Sequence, residues 1–185
     1  MTARRIALDG LIAFIGGGNM PRSLIGGLLA RGVLAASIRV AEPVAATRDA
    51  LTRDFGVQVF NDSADAVDGA AIWLLAVKPQ VTRAVCEALA PYAQRSRPLV
   101  MSIAAGITTG QLARWLSATD ASPLAIVRCM PNTPALIGES ATGLFANAHV
   151  DAAGRKRAET LLAAVGRTVW IDHETRMDAV TAVSG

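Results

Sequence analysis

Aromatic residues are scarce in this 185-residue chain: three Trp, one Tyr and four Phe make up 4% of it. Large rings therefore cannot fill its interior, and the small and branched side chains that dominate the 52% hydrophobic fraction must do so. Such side chains suit helices layered on a buried parallel sheet. Cysteine is nearly absent. Cys86 and Cys129 stand 43 positions apart, which fits neither a zinc spacing nor a disulfide framework, so free thiols in a reducing cytoplasm are expected. Two histidines, His149 and His173, add no metal-ligand spacing, and no metal is expected. The net charge of +3 arises from 18 basic and 15 acidic residues spread along the chain. Without a Lys/Arg run there is no patch for a polyanion, and nucleic acid is excluded as a partner. Long apolar runs are missing too. The stretch after Arg4 and Arg5 is broken by Gly16, Gly17 and Gly18, so neither a signal peptide nor a membrane span is expected, and the chain is placed in the cytoplasm.

What is present is an alternation. Short β-branched runs are predicted as strands at Ile12–Ile15, Ile38–Ala41, Val57–Val59, Ala71–Val77, Leu99–Ile103, Leu124–Cys129, Gly143–Ala146 and Thr168–Ile171. Between them, Met20–Arg31, Val44–Phe55, Pro79–Leu89, Thr108–Leu116 and Ala152–Val165 read as amphipathic helices, several with a Ser, Thr, Asp or Pro start signal. The pattern predicts an α/β fold: doubly wound, Rossmann-type, with a mainly parallel sheet and helices on both faces. No repeat or charged linker divides it, and residues 174–185 read as a helix leading out. Ligands of such sheets sit at the carboxyl ends of the strands.

The segment Ile12-Ala13-Phe14-Ile15-Gly16-Gly17-Gly18-Asn19-Met20-Pro21 runs from a strand straight into a helix. Glycines in that first turn let the backbone approach a diphosphate held by the amides of the helix start. Pro21 departs from the fingerprint, whose third position is ordinarily Gly or Ala; its ring is expected to crowd the strand, although a first helical turn tolerates proline. Glu42, at the end of the second predicted strand, stands where an acid meets the ribose hydroxyls of NAD, which disfavours a 2′-phosphate. Nearby Arg48 could meet such a phosphate, and NADP or NAD both remain open as cofactor.

Four further stretches narrow the reading: Leu75-Ala76-Val77-Lys78-Pro79, Ser102-Ile103-Ala104-Ala105-Gly106, Arg128-Cys129-Met130-Pro131-Asn132-Thr133-Pro134 and Asp178-Ala179-Val180-Thr181-Ala182-Val183-Ser184-Gly185. Each follows a predicted strand and is expected along the carboxyl edge of the sheet. Together with the glycine loop they resemble pyrroline-5-carboxylate reductase, over about Ile12 to Gly185. The resemblance implies cofactor binding by Gly16, Gly17, Gly18, Asn19 and Met20, by Glu42 at the ribose and Asn61 beside the adenosine. It also implies Ala76, Val77, Lys78 and Pro79, with Ala105 near the nicotinamide. Met130, Pro131, Asn132 and Thr133 form a stiff turn on the substrate side, offering an amide and a hydroxyl. No catalytic residue is assigned. Lys78 reads either as an acid or as a phosphate or ribose contact, and Cys129 as a buried thiol, since imine reduction needs no covalent step.

The implied reaction is NAD(P)H-dependent reduction of 1-pyrroline-5-carboxylate to L-proline, a small-molecule conversion in proline biosynthesis. In the family a helical carboxyl-terminal domain holds the substrate carboxylate and builds the oligomer, and a homo-oligomer is expected of the full-length form. Residues 1–172 are expected to be the dinucleotide-binding domain and 173–185 the start of the helix leading to that second domain. By that reading the chain binds dinucleotide and turns over slowly or not at all alone. The rival readings are a non-catalytic dinucleotide-binding module and a dehydrogenase of the 6-phosphogluconate or 3-hydroxyisobutyrate type.

Overall fold

The computed structural model describes residues 8–117, 122–132, 134–135 and 138–182. Strand β1 (Leu11–Ile15) is apolar throughout, and its last four residues are buried, as a strand covered on both faces must be. Helix α1 (Asn19–Ala30) follows, then β2 (Ile38–Ala41), α2 (Ala45–Phe55), β3 (Gln58–Phe60), α3 (Ser63–Val67) and β4 (Ala70–Leu75). The second half runs α4 (Pro79–Ser96), β5 (Leu99–Ser102), α5 (Thr109–Trp115), β6 (Ile126–Met130), β7 (Ser140–Ala146), α6 (Ala152–Leu162), β8 (Gly166–Trp170) and α7 (Met177–Ala182).

The strands lie in the order β3-β2-β1-β4-β5-β6-β7-β8. The first six are mutually parallel, and the order reverses between β1 and β4, the switch point where such sheets open a crevice. Side chains alternate between two cores. Ile12, Phe14, Leu74 and Met101 pack against Leu24, Ile25 and Leu28 of α1 and Leu161 and Leu162 of α6. Ala13, Ile15, Trp73 and Leu75 face Cys86, Leu89 and Ala93 of α4 and Leu112 of α5. Burying each large aliphatic among these contributes about 1.5–3 kcal/mol, so the doubly wound expectation follows from the period-two pattern of the strands.

Three expectations need correction. Helix α4 does not stop at Leu89 but continues through Pro91 to Ser96. Pro91 is exposed and forfeits one backbone bond, while Ala93 beyond it is fully buried and keeps the last turns on the sheet. The short helix α3 was not foreseen, although Asp62 caps it by accepting the Ala64 amide at 2.9 Å. The third correction concerns direction. β7 is antiparallel to β6, and β8 is parallel to β7, so both run against the other six strands. The Asp178–Gly185 stretch therefore follows a strand whose carboxyl end points away from the site edge. Its described part is instead carried across β6 and β7 by α7, while Val183, Ser184 and Gly185 lie outside the described residues.

Candidate functional site

The loops after β1, β2, β4, β5 and β6 line one edge of the sheet. At its centre Gly16 has φ +106°, and a Cβ there would stand 2.7 Å from the Ala76 carbonyl oxygen. That position demands glycine because the loops after β1 and β4 touch. Gly17 is confined by Leu51 and Glu42. Gly18 differs: its φ of −69° suits any residue, and a Cβ there would meet no atom of the described residues within 4 Å. Nothing among the described residues requires glycine at Gly18, whereas a ligand lying over the helix start would.

Gly18 is the N-cap of α1 and brings no side chain to cap it. The amides of Gly18, Asn19 and Met20 thus open a twelve-residue helix where N–H groups lack intrahelical acceptors and the helix dipole is positive. Pro21 occupies the third helical position, buried, and its missing N–H costs no helical bond there. β1 keeps its pairing with β2 and β4 as far as Ile15 beside it.

The Glu42 carboxylate turns inward. Its Oε2 accepts the Gly17 amide at 3.0 Å and its Oε1 the Val44 amide at 2.9 Å. Beside it, Arg48 Nη1 donates to the carbonyls of Glu42 and Pro43, each at 2.8 Å, and to Asn61 Oδ1 at 3.1 Å. Glu42, Arg48 and Asn61 thus form one cluster at the β2–β3 end of the edge, with an acid and a cation side by side.

On the other side of the switch point, Lys78 is exposed and is the N-cap of α4, with Pro79 as its first residue. The Lys78 carbonyl accepts Thr82 Oγ1 at 3.0 Å. Ala76 and Val77 are half-buried against the glycine loop. Ala105 and Gly106 are exposed in the turn after β5, and Gly106 takes φ +74°. After β6, Met130 and Asn132 are half-buried and Pro131 is buried; Thr133 lies outside the described residues. Asn132 Oδ1 accepts the Ala141 amide at 3.0 Å, so this side chain braces the start of β7. Cys129 is fully buried, and desolvation pushes its thiol far above the ordinary range, which suits packing and not nucleophilic attack. Among the described residues, no group of three or more His, Cys, Asp or Glu could hold a metal, and no helix is long and apolar enough to cross a membrane. A groove of about 550 Å³ runs along the middle of α1, lined by Gly26, Gly27 and Phe55 and, from the loop after β6, by Ala135 and Gly138.

Residues 11–106, the half that holds the glycine loop, match the family described as NADP oxidoreductase coenzyme F420-dependent. The chain belongs to that family. It is 52% identical over 174 residues to a pyrroline-5-carboxylate reductase of Pseudomonas aeruginosa, covering 94% of this chain and 62% of the relative. Identity to the enzyme of that name from Haemophilus influenzae is 46% over 175 residues, covering 95% and 62%. Among solved structures, a Coxiella burnetii pyrroline-5-carboxylate reductase superposes with a TM-score of 0.90 at 36% identity, covering 96% of this chain and 64% of that one. The Plasmodium falciparum pyrroline carboxylate reductase, solved with NADP bound, gives 0.80 at 26% identity, covering 96% and 63%. The chain spans about 62% of the length of the curated relatives it matches.

Sequence reasoning missed one polar cluster bordering this edge. Arg128 of β6 is 2% exposed, and its Nη2 reaches Asp178 Oδ1 at 2.8 Å while Nη1 lies 4.0 Å from Glu174 Oε1. Glu174 in turn accepts the Thr109 amide at 2.6 Å and the Thr109 hydroxyl at 2.9 Å. An arginine in a run of Ile126, Val127 and Cys129 was the available signal, since a buried cation requires partners.

Proposed function

We propose that this chain is the dinucleotide-binding part of a pyrroline-5-carboxylate reductase of proline biosynthesis. The observation that carries the reading is Gly18, where the open space and the uncapped start of α1 suit a diphosphate. NADPH or NADH, when bound, supplies a hydride from the nicotinamide C4 to the C=N carbon of 1-pyrroline-5-carboxylate, giving L-proline and oxidised dinucleotide.

The remaining work belongs to the residues along the edge. The amides of Gly18, Asn19 and Met20 hold the diphosphate, with Gly16 and Gly17 bringing the backbone close. Glu42 and Asn61 face the adenosine ribose, and Arg48 stands beside them as a cation within reach of a 2′-phosphate. Ala76, Val77, Lys78 and Pro79 flank the middle of the cofactor. Ala105 presents flat backbone to the nicotinamide, and Met130, Pro131, Asn132 and Thr133 wall the substrate side. Positioning is the protein's contribution to such a reaction. Residues 1–172 are the dinucleotide-binding domain, and 173–185 lead toward a helical domain that completes the substrate site and pairs the subunits. The whole protein is then a cytoplasmic homo-oligomer.

The test is a titration of this chain with NADH and with NADPH, followed by fluorescence, and repeated on Glu42→Ala. Loss of the carboxylate removes repulsion of a 2′-phosphate and is expected to shift the ratio of the two affinities toward NADPH by roughly threefold to tenfold. An unchanged ratio takes Glu42 out of the site, and binding of neither dinucleotide overturns the proposal.

A further inference from the structure

The buried cation on β6 has no part in the reading above, yet it borders two of the loops that carry it. Arg128 lies level with Ser102, the last residue of β5, in the strand register. Two residues beyond Ser102 begins the turn Ala104–Gly106. That turn is held locally by two long bonds, Ala104 N to Ser102 Oγ at 3.2 Å and Ile107 N to the Ala104 carbonyl at 3.4 Å. Its downstream anchor is far stronger: Thr109, the first residue of α5, gives both its amide and its hydroxyl to the Glu174 carboxylate. The same carboxylate faces Arg128, and Arg128 also grips Asp178 on α7. Two residues after Arg128 begins the Met130–Asn132 wall. Glu174 and Arg128 therefore join three pieces of chain far apart in sequence: the turn that flanks the nicotinamide end, the strand leading to the substrate-side loop, and α7.

A cation buried this deeply is costly, and a hydrophobic residue of similar volume would serve stability as well or better. Such a pair persists where it holds particular elements in one arrangement. We propose that Glu174 and Arg128 are positioning residues that set the wall of the nicotinamide subsite, acting through Thr109 on the Ala104–Gly106 turn. The proposal rests on the dinucleotide-binding reading. It separates the two ends of the cofactor, because the cluster is remote in the sheet order from the Glu42, Arg48 and Asn61 group, which β1, β4 and β5 keep apart from it.

Two probes read the two ends. NADPH fills both, and 2′-phospho-ADP-ribose, which lacks the nicotinamide, fills only the diphosphate and adenosine side. In Glu174→Gln one of the two oxygens that accept from Thr109 becomes an NH₂ group, and the charge facing Arg128 is lost. NADPH affinity is expected to fall about threefold to tenfold, while affinity for 2′-phospho-ADP-ribose stays within about twofold of the parent. The emission of bound NADPH should move toward that of the free cofactor. Arg128→Lys, which retains the charge, is expected to recover part of the loss that Arg128→Met shows. Equal weakening of both probes would mean general loosening of the fold and overturns the proposal, as does no change in either. If the unmodified chain binds neither probe, the dinucleotide reading itself fails, an outcome distinct from the other two.

Discussion

The two halves of the sheet are built on different principles. In the β1–β3 half, the site is made by backbone: glycines at close approach, an uncapped helix start and a carboxylate folded onto the Gly17 amide. In the β6–β8 half, charged side chains do the holding, over separations of 50 and 65 residues for Arg128–Asp178 and Thr109–Glu174. The difference teaches how each half can fail. Backbone sites fail when a methyl group meets main chain that cannot yield; side-chain clusters fail when a charge is removed, because the charges around the buried Arg128 no longer balance.

The largest expected effect comes from separating two neighbouring glycines. Gly16→Ala forces a left-handed backbone on an L-residue and drives Cβ to 2.7 Å from the Ala76 carbonyl, so a loss of about 3 kcal/mol or more in stability is expected in denaturant unfolding. Gly18→Ala should leave unfolding unchanged and weaken NADPH binding at least about tenfold, since the methyl fills only ligand space. If both variants lose stability alike, the backbone account of this half is wrong.

A smaller effect tests the seam between the halves. Gly27 of α1 lies against the turn before β8, with a Cβ position 2.7 Å from the Ala164 carbonyl and 2.8 Å from Val165 Cγ1. Gly27→Ala is expected to cost about 1–3 kcal/mol through overpacking, read as a lowered Tm. Unaltered melting would mean the halves meet loosely there.

Smaller still, the two thiols should behave alike although they sit in opposite cores. Burial pushes Cys86 up to about 12 and Cys129 further, so neither should be alkylated by iodoacetamide in the native protein at pH 8, and both should react in denaturant. Rapid native labelling of Cys129 would reopen its nucleophile role. The smallest effect lies on the surface of the first half. The hydrogen bond from Arg22 holds Asp54 below its ordinary 3.8, with Arg53 assisting. A depressed carboxylate contributes stability that is present above 3.8 and lost as pH falls through the folded-state value. Asp54→Asn should therefore flatten the acid limb of a stability–pH curve slightly and leave neutral pH nearly unchanged.

The glycine loop, Glu42 and the stretches after β4, β5 and β6 were legible because each is a local signal: a strand, a turn composition and a helix start within ten residues. The reversal of β7 and β8 was not, because hydrophobic periodicity is the same for a strand run in either direction. Nor was the continuation of α4 past Pro91, where the burial of Ala93 outweighs a lost backbone bond. The bond from the Ala141 amide to Asn132 Oδ1 joins positions nine residues apart and carries no signal in the sequence.

By itself the order of residues determined the doubly wound class and the place of the glycine loop between the first strand and the first helix, since propensity, periodicity and apolar composition act over short spans. Which carboxylates meet Arg128, which way the last two strands run and where Glu42 turns its oxygens were decided only in three dimensions. Such contacts join segments whose separation along the chain carries no periodic trace, and their energies exist only once the sheet has brought them together.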